Sequence, residues 1–500
     1  MIAANFIPNS MFRILKKFIW AMLGVAAIQH ASGFSIFGPA ESFQTPTLDY
    51  ITRYYYGNDT ELGGPKNFGE GSRLNVPIIT YGYDSTFLDY FGSKGVAAVD
   101  SAMAVMNSLP NASSVKLSKF LTQNNQAINY TAQALALTDI KSTVMSIMLE
   151  HMGLIGETHV WDLRNAAPLP NGTCLFEYLV IERNYDPVTY NPSAYVNGVQ
   201  YGYTIWNGCP NGVQVSDAIE QSVNLTSPAQ FSYTAVATRY GQQIGGYYLG
   251  ITRDDMGGLA YLYRGNNYVY EGLDSDSVAS GFPSSAYEPI SLTPTNAVTN
   301  GVFQGLLGGV GKITFVKVAY DSLLGQAFTP RTYHYSIPML TNGAVQQLHI
   351  TRTVTQPDIV FAAGDLVGPA TTYPITYNAY NRTIVYIPSG VVNLGLDAVP
   401  VDVIAPQEVI TFNNVTPVWV NLSPAFLDST QTYLYPVLLW GSFNGSTNAP
   451  VLFPTGASIE SLEQQVLAGG PSIPLGTYNP ISLTGAATNV AVGGTTGTTP

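Results

Sequence analysis

The sequence predicts a β-rich protein in two structured parts, an α+β N-terminal domain followed by an all-β, sandwich-like C-terminal domain. Helical periodicity is concentrated between residues 78 and 164, and a period of two dominates after residue 173. Turn-forming residues are frequent, with 48 Gly and 32 Pro. Five hundred residues also exceed one ordinary core. The predicted segments are a signal peptide (1–33), an extended arm (34–77), the α+β domain (78–277), a linker (278–301), the β-rich domain with a terminal helix (302–475) and a disordered tail (476–500).

The N-terminus has the pattern of an export signal. Three basic residues between positions 13 and 17 precede the apolar run Phe18–Ile28, and the small residues Ala31–Gly33 follow. This order predicts cleavage near Gly33 and a secreted, cell-surface or periplasmic location. After residue 33, no stretch reaches the roughly 18 apolar residues of a membrane-spanning helix, so no transmembrane segment is expected.

Composition narrows the classes of partner. Only 10% of residues are charged, and the formal net charge is −12. An acidic chain repels phosphate backbones, which argues against nucleic acid as a partner. The partners expected are cell-surface or matrix components, or further copies of the same chain.

Local signals place the main elements of the α+β domain. The apolar run Ile78–Tyr83 precedes a first helix, which is predicted to follow Gly95 and to end before Pro110. Its apolar stripe has helical spacing: Val96, Val99, Met103 and Met106. A second helix is predicted with Thr138 as N-cap and Gly153 just after its C-terminus.

Later signals are shorter. Thr252 and Asp255 have the spacing of a capping box and predict a short helix. The pairs Asn197-Gly198 and Asn342-Gly343 predict two-residue hairpin turns, the second with its ladder interrupted at Pro338. A last helix is predicted to begin after Ser458.

The chain has two cysteines, Cys174 and Cys209. In an oxidising compartment a single disulfide between them is the simplest interpretation, and it would close a long loop. Two buried free thiols are the alternative. Neither cysteine has another Cys or a His close by in sequence, which argues against a metal site.

Few residues have the pattern of catalytic or metal-binding groups. Sequence motifs of the common metallopeptidases, serine hydrolases and nucleotide-binding proteins are missing. His151 and His159 could bind a metal together with Glu150 or Glu157, but a histidine at a helix end is also a common packing residue. His334 and His349 become diagonal neighbours if Asn342-Gly343 is a two-residue turn. That pair could bind a metal with a carboxylate, or simply belong to a solvated strand face.

Carboxylate pairs offer a different chemistry. Asp254 adjoins Asp255, and Asp274 lies two residues before Asp276. Such pairs suit Ca²⁺ or glycoside hydrolysis. Asp255 already has a capping role, and the Asp274–Asp276 segment lacks the glycine and distal Glu of an EF-hand loop. A bound structural calcium ion is the alternative that the sequence leaves, and no other cofactor is expected.

Seven blocks of the mature chain carry a resemblance to known sequences: Phe91–Asp100, Leu137–Ser142, Val160–Arg164, Ile251–Gly258, Val318–Gly325, Val354–Asp358 and Trp440–Thr447. They resemble blocks of large, uncharacterised exported proteins of planctomycete and verrucomicrobial type bacteria. The resemblance implies export and a bacterial envelope setting, and no chemical activity.

A second resemblance is fragmentary. Thr252–Tyr263 is similar to the last helix of matrixin-type zinc metallopeptidases, and Glu150–Leu154 is similar to the end of their zinc-binding helix. The positions that should carry His, Glu, His and His are occupied by Ser146, Ile147, Glu150 and Gly156. The resemblance therefore implies a scaffold of that type without its zinc motif.

Together these observations predict an exported, non-catalytic structural or adhesive protein of the bacterial cell surface or extracellular matrix. The alternative is a secreted hydrolase with a divergent metallopeptidase-like N-terminal domain. The positions of Glu150, His151, Glu157 and His159 discriminate between them, since a shared cleft would favour the hydrolase.

Overall fold

A computed structural model describes twenty segments of the chain, and every structural statement below concerns these residues. They are 34–36, 73–122, 125–155, 161–164, 167–168, 174–175, 179–182, 184–208, 215–223, 236, 242–273, 276–280, 304–320, 328–363, 375–378, 383–386, 408–412, 418–421, 432–435 and 439–458.

More of the described chain is strand than helix. The helices are α1 Ser85–Ser108, α2 Tyr130–Ala134, α3 Ile140–His151 and α4 Arg253–Tyr263, with 3-10 turns at Ala112–Ser114 and Leu117–Lys119. The first strands are β1 Ser35–Ile36, β2 Ile78–Tyr83, β3 Gln126–Ile128, β4 Thr138–Asp139, β5 Leu154–Ile155, β6 Trp161–Arg164, β7 Ala167–Pro168, β8 Cys174–Leu175, β9 Leu179–Glu182, β10 Tyr195–Val196, β11 Val199–Gly208, β12 Val215–Ser222 and β13 Gly246–Tyr248. The others are β14 Val269–Gly272, β15 Ser277–Ser280, β16 Gln304–Leu307, β17 Thr314–Lys317, β18 Arg331–Thr341, β19 Ala344–Val354, β20 Ile359–Ala362, β21 Ile375–Asn378, β22 Thr383–Tyr386, β23 Glu408–Thr411, β24 Val418–Asn421, β25 Thr432–Tyr435, β26 Trp440–Ser442 and β27 Val451–Leu452.

The largest sheet is mostly parallel. Its six strands lie in the order β17-β2-β20-β23-β21-β22, and only β22 runs antiparallel to its neighbour. The central strand β20 is buried along its whole length, which is typical of a parallel sheet covered on both faces. Strands from both sides of the predicted linker at 278–301 therefore share one sheet.

Helix α1 packs against this sheet and against α3. Its N-cap is Asp84, whose carboxylate accepts a hydrogen bond from the backbone N–H of Phe87 at 2.9 Å. Helical residues begin at Ser85, ahead of the predicted start after Gly95. Gly92 has φ 56° and ψ −160°, a non-helical conformation, so a kink there divides α1 into two helical stretches. The prediction missed the first stretch and placed the start of the second a few residues late.

Helix α3 lies deep in the core. Asp139, not the predicted Thr138, is its N-cap, and the carboxylate accepts from the N–H and Oγ of Ser142 at 2.8 and 2.6 Å. Thr138 instead belongs to the short strand β4, which pairs with β26. Gly153 follows the C-cap with φ 98°, as predicted.

The second large sheet is antiparallel, with its five strands in the order β14-β16-β18-β19-β15. The Asn342-Gly343 turn is confirmed, since Thr341 pairs with Ala344 and both turn residues have positive φ. The predicted interruption at Pro338 is wrong. Pro338 pairs with Gln347, and the pairing of β18 with β19 continues on both sides of it. Proline has no N–H to donate, but its carbonyl still accepts from the N–H of Gly308.

Several predictions concern residues outside the described segments. These include the signal peptide, most of the arm, the linker after Ser280, the helix after Ser458 and the tail; the first three linker residues belong to strand β15. Cys209 is also outside, and the side chain of Cys174 is not described, so the disulfide stays a prediction. In the described part of the chain, none of the helices combines the length and apolar character that membrane crossing requires.

Candidate functional site

The candidate metal ligands are not brought together as one group, although His334 and His349 are neighbours on one hairpin. His151 lies at the end of α3, whereas His334 and His349 lie on the hairpin of β18 and β19. His159 and Asp274 are outside the described residues. Across the described segments, no group of three or more His, Cys, Asp or Glu side chains is placed to bind a metal.

His151 is paired with a carboxylate that the sequence did not point to. Its Nε2 lies 3.1 Å from Oε1 of Glu408, the first residue of β23, and both side chains are mostly buried. Burial alone lowers the pKa of His151, but the charge and contact of Glu408, with the charge of Glu150, raise it above its ordinary value. The pair connects the end of α3 to the parallel sheet, which is a packing role.

Helix α3 presents a small and an apolar side chain where the zinc-binding pattern needs its first His and its Glu. Ser146 and Ile147 are buried in the core. Glu150 is partly buried, and Gly156 and Glu157 are outside the described residues. The described part of this helix therefore offers packing surface at the positions that would carry the first two zinc-site residues.

The carboxylates around α4 belong to its N-terminus. Thr252 and Asp255 form the predicted capping box, and Asp255 also accepts from the N–H of Val236. Asp254 accepts from the N–H of Asn197 at 2.6 Å, and this bond connects the turn between β10 and β11 to α4. Both carboxylates are fully buried. Oδ2 of Asp254 and both oxygens of Asp255 thus accept from backbone N–H groups.

Asp276 belongs to a buried charge network centred on Arg352. The Nε of Arg352 donates to Asp276 at 2.8 Å, and its Nη atoms donate to Asp358 at 2.6 and 3.3 Å. Asp358 also accepts from the N–H and hydroxyl of Thr80, and Arg352 donates to the carbonyl of Ile78. We call these residues the Arg352 network. It joins β19 of the antiparallel sheet to β2 of the parallel sheet.

A second polar cluster lies where α1 crosses the parallel sheet. Tyr81 and Tyr83 both donate to Asp100 Oδ1, at 3.0 and 2.7 Å, and Lys317 donates to Asp100 Oδ2 at 2.7 Å. Burial, together with the charge of Asp100, raises the pKa of both phenols, which stay protonated and donate. No sequence motif indicated this cluster, because its members come from three separate elements.

A small cavity of about 280 Å³ opens beside the start of α1. Lys94 lines it together with residues 450–453 and 455–458. Its volume is below the roughly 300–1,000 Å³ of sites that bury a drug-sized molecule. Lys94 is its one charged lining residue among those described, so the cavity offers no acid–base pair.

An exposed polar surface lies on the β18–β19 hairpin. On part of one face, polar side chains are bonded in pairs across the two strands, and the same face continues toward the turn with Pro338, Leu340 and Val345. Thr332 is 3.4 Å from Thr353, His334 Nδ1 is 3.0 Å from Thr351 Oγ1, and Ser336 Oγ is 2.8 Å from His349 Nδ1. We call these six residues the hairpin face.

The hairpin face is the outer side of a sheet whose inner side is core. Ile337, Leu348 and Ile350, on the opposite side of the same strands, are buried in an apolar cluster. The predicted register is confirmed, since His334 pairs with Thr351 and Ser336 with His349. The histidines therefore have the predicted diagonal arrangement, and each has a hydroxyl partner on the neighbouring strand. The face can form many hydrogen bonds to a flat surface.

Comparison with known proteins found no matching family model, curated protein or solved structure for this chain.

Proposed function

We propose that this chain is an exported, non-catalytic structural or adhesive protein of the bacterial cell surface or extracellular matrix. The observation that carries the proposal is the hairpin face, an exposed row of hydroxyl and imidazole groups on two paired strands. Its six side chains are held in place by cross-strand hydrogen bonds before any partner arrives. Preorganised groups lose little entropy on binding, which suits a contact surface.

The buried charges support the same interpretation. Asp84, Asp139 and Asp255 cap helices, and Asp358 is held by Arg352 and Thr80. Carboxylates used in this way stabilise the fold. We further propose that the strands after residue 302 pack in a sandwich-like way together with β2, which shares their parallel sheet. A structural Ca²⁺ in the Asp274–Asp276 segment is the one cofactor that the sequence allows.

Binding to the envelope of the producing bacterium tests the contact function. Purified mature protein is mixed with isolated envelopes, and the bound fraction is measured after sedimentation. His334→Glu places a charge on the hairpin face, and we expect it to reduce the bound fraction at least severalfold. Gln346→Glu is the matched control, because Gln346 is exposed on the same hairpin with its side chain on the opposite side of β19.

The same preparation tests the alternative function, a secreted hydrolase. We expect no turnover of peptide or glycan libraries and no stoichiometric zinc by elemental analysis. Turnover that EDTA abolishes would refute the non-catalytic function. Equal envelope binding by both glutamate variants and the wild type would refute the hairpin face as the contact surface.

Export and the disulfide are proposed from sequence and share one measurement. Intact mass spectrometry of protein recovered from the medium or envelope should give a chain that begins near Phe34. The mass should rise by about 2 Da on reduction if Cys174 and Cys209 are bonded. A chain retaining residues 1–33, or one whose mass is unchanged by reduction, would contradict these two proposals respectively.

A further inference from the structure

Arg264 has an unusual environment for a surface arginine. It directly follows α4, and its guanidinium carbon lies 4.6 Å from the ring centre of Tyr190 and 4.7 Å from that of Tyr261. Such cation–π contacts fix the plane of the guanidinium and restrict its motion. Arg264 is therefore held in one orientation without a carboxylate partner in the described part of the chain.

The donors of this guanidinium are not used within the described structure. The Nε atom is buried and has no hydrogen-bond acceptor among the described residues. A buried donor without an acceptor is destabilising, and an arginine fork normally meets a planar oxyanion. Because Nε itself is enclosed, a ligand's carboxylate would meet the Nη edge of this partly exposed side chain.

The loop that carries Tyr190 is built to hold the ring there. Tyr190 has φ 61°, a left-handed conformation that is unfavourable for a bulky residue. Asp186 closes the turn by accepting from the N–H groups of Val188 and Thr189 at 3.0 and 2.7 Å. Backbone strain that the surrounding structure enforces is found most often at binding and catalytic sites.

The same loop is docked on α4. Pro187 packs directly over Gly257, and a methyl group at position 257 would overlap it. The Tyr190 ring then contacts the rings of Tyr261, at a centroid distance of 4.9 Å, and of Phe34, at 6.4 Å. The Tyr190 ring beside Arg264 is thus held in place both by the docked loop and by the neighbouring aromatic rings.

We propose that Arg264 and Tyr190 form a binding site for a small organic carboxylate, a ligand class within the contact function proposed above. The guanidinium fork pairs with the carboxylate, and the partly exposed Tyr190 ring packs against the ligand's carbon skeleton. A carboxylated sugar has both parts. The net charge of −12 repels extended polyanions, which favours a ligand with one acidic group.

Calorimetric titration of the full mature chain tests the site with three probes: galacturonate, galactose and acetate. We expect galacturonate to bind, galactose to give no measurable heat, and acetate to bind more weakly because it lacks the ring. Arg264→Gln should weaken galacturonate binding about tenfold or more, since it removes a charge-assisted pair. Tyr190→Gly should also weaken it, while glycine accepts the positive φ without strain.

Arg253→Gln is the matched control. Arg253 is the first residue of α4, and its Nε also lacks an acceptor among the described residues. The substitution removes the same charge as Arg264→Gln, but at the opposite end of the helix. The site is refuted if galacturonate binds no better than galactose, or if Arg264→Gln and Arg253→Gln weaken binding equally. Either result leaves the contact function standing, whereas EDTA-sensitive turnover would refute that function whatever Arg264 binds.

Discussion

A single buried arginine connects the two large sheets at the residue scale. Arg352 is 2% exposed and Asp358 4%, so their charges interact in a poorly solvated environment. Asp358 in turn holds the N–H and hydroxyl of Thr80 on β2. Removing one partner leaves the other charge buried and uncompensated, which is far more destabilising than losing an exposed pair.

We therefore expect Arg352→Met to lower the free energy of unfolding by about 3–5 kcal/mol, and Asp358→Asn to have a similar effect. The double variant Arg352→Met/Asp358→Asn should lose much less than the sum, because only the partly exposed Asp276 is then left without its partner. Urea unfolding monitored by circular dichroism measures all three.

The exposed pair Lys317–Asp100 provides the control. Lys317 is 45% exposed, so Lys317→Met should change the free energy of unfolding by less than about 1 kcal/mol. Additive losses in the Arg352/Asp358 double variant would contradict the charge-pair interpretation.

Residue-scale features were predictable where the partners are close in sequence. The Asn342-Gly343 turn and the Thr252–Asp255 capping box each depend on residues at most three apart, and both are confirmed. The partners of Arg352 include the carbonyl of Ile78, 274 residues away. No local pattern marks such a pair, because the hydrogen bond exists only once both sheets have formed.

At the element scale, the edge of the parallel sheet is protected by one side chain. β17 is an outer strand, and the side-chain amide of Asn107 on α1 bonds to its free edge as the backbone of a neighbouring strand would. The amide Nδ2 donates to the carbonyl of Phe315 at 2.8 Å, and Oδ1 accepts from its N–H at 2.7 Å. Exposed strand edges invite pairing with other chains, so this amide protects against aggregation.

Asn107→Ala should lower the free energy of unfolding by about 1–3 kcal/mol, because two backbone hydrogen bonds lose their partner. The Phe315 amide should also exchange with deuterium faster. Asn107→Asp should keep that amide protected through its acceptor oxygen, yet lose stability because a carboxylate then faces the Phe315 carbonyl. Hydrogen exchange and urea unfolding separate the two effects.

Ser108→Ala is the control for the Asn107 variants. Ser108 is exposed, and its hydroxyl bonds only the carbonyl of Val105 within α1. We expect a change within about 0.5 kcal/mol. Unchanged exchange at Phe315 in Asn107→Ala would show that the edge is protected by something else.

Elements themselves were easier to predict than their pairing. The apolar run Ile78–Tyr83 forms a strand, and the helix predicted to end before Pro110 is confirmed at its C-terminus. The parallel pairing of β2 with β17 and β20 could not be read from sequence. Parallel strands are joined by long connections, and nothing in the local sequence of either strand identifies its neighbour.

At the scale of the whole molecule, buried titratable groups link stability to pH in one direction. Burial raises the pKa of Asp139 to about 6, although hydrogen bonds from Ser142 and Phe443 oppose the rise. Burial likewise raises the pKa of Asp84. Contacts with Glu408 raise the pKa of His151 above its ordinary value. Each group holds its proton more tightly in the folded chain than in the unfolded chain.

Stability should therefore fall as pH rises. For Asp139 the loss falls between about pH 4, where the unfolded carboxyl releases its proton, and about pH 6, where the folded one does. The stabilisation from His151 is complete below its unfolded pKa near 6.5 and is lost as pH rises through the folded pKa. The two windows follow one another, so the free energy of unfolding should decline from about pH 4.5 to above pH 7.

Urea unfolding at half-unit steps from pH 4.5 to 8.5 measures this decline, and two variants divide it. Asp139→Asn should remove the decline in the free energy of unfolding between about pH 4 and 6 and keep the decline at higher pH. His151→Gln should remove the decline at higher pH and keep the lower one, because each variant removes one titrating group. Stability that is constant or increasing across the range would contradict the linkage. A decline that both variants retain in full would assign it to other groups, and would remove the His151–Glu408 pair as a source of pH dependence.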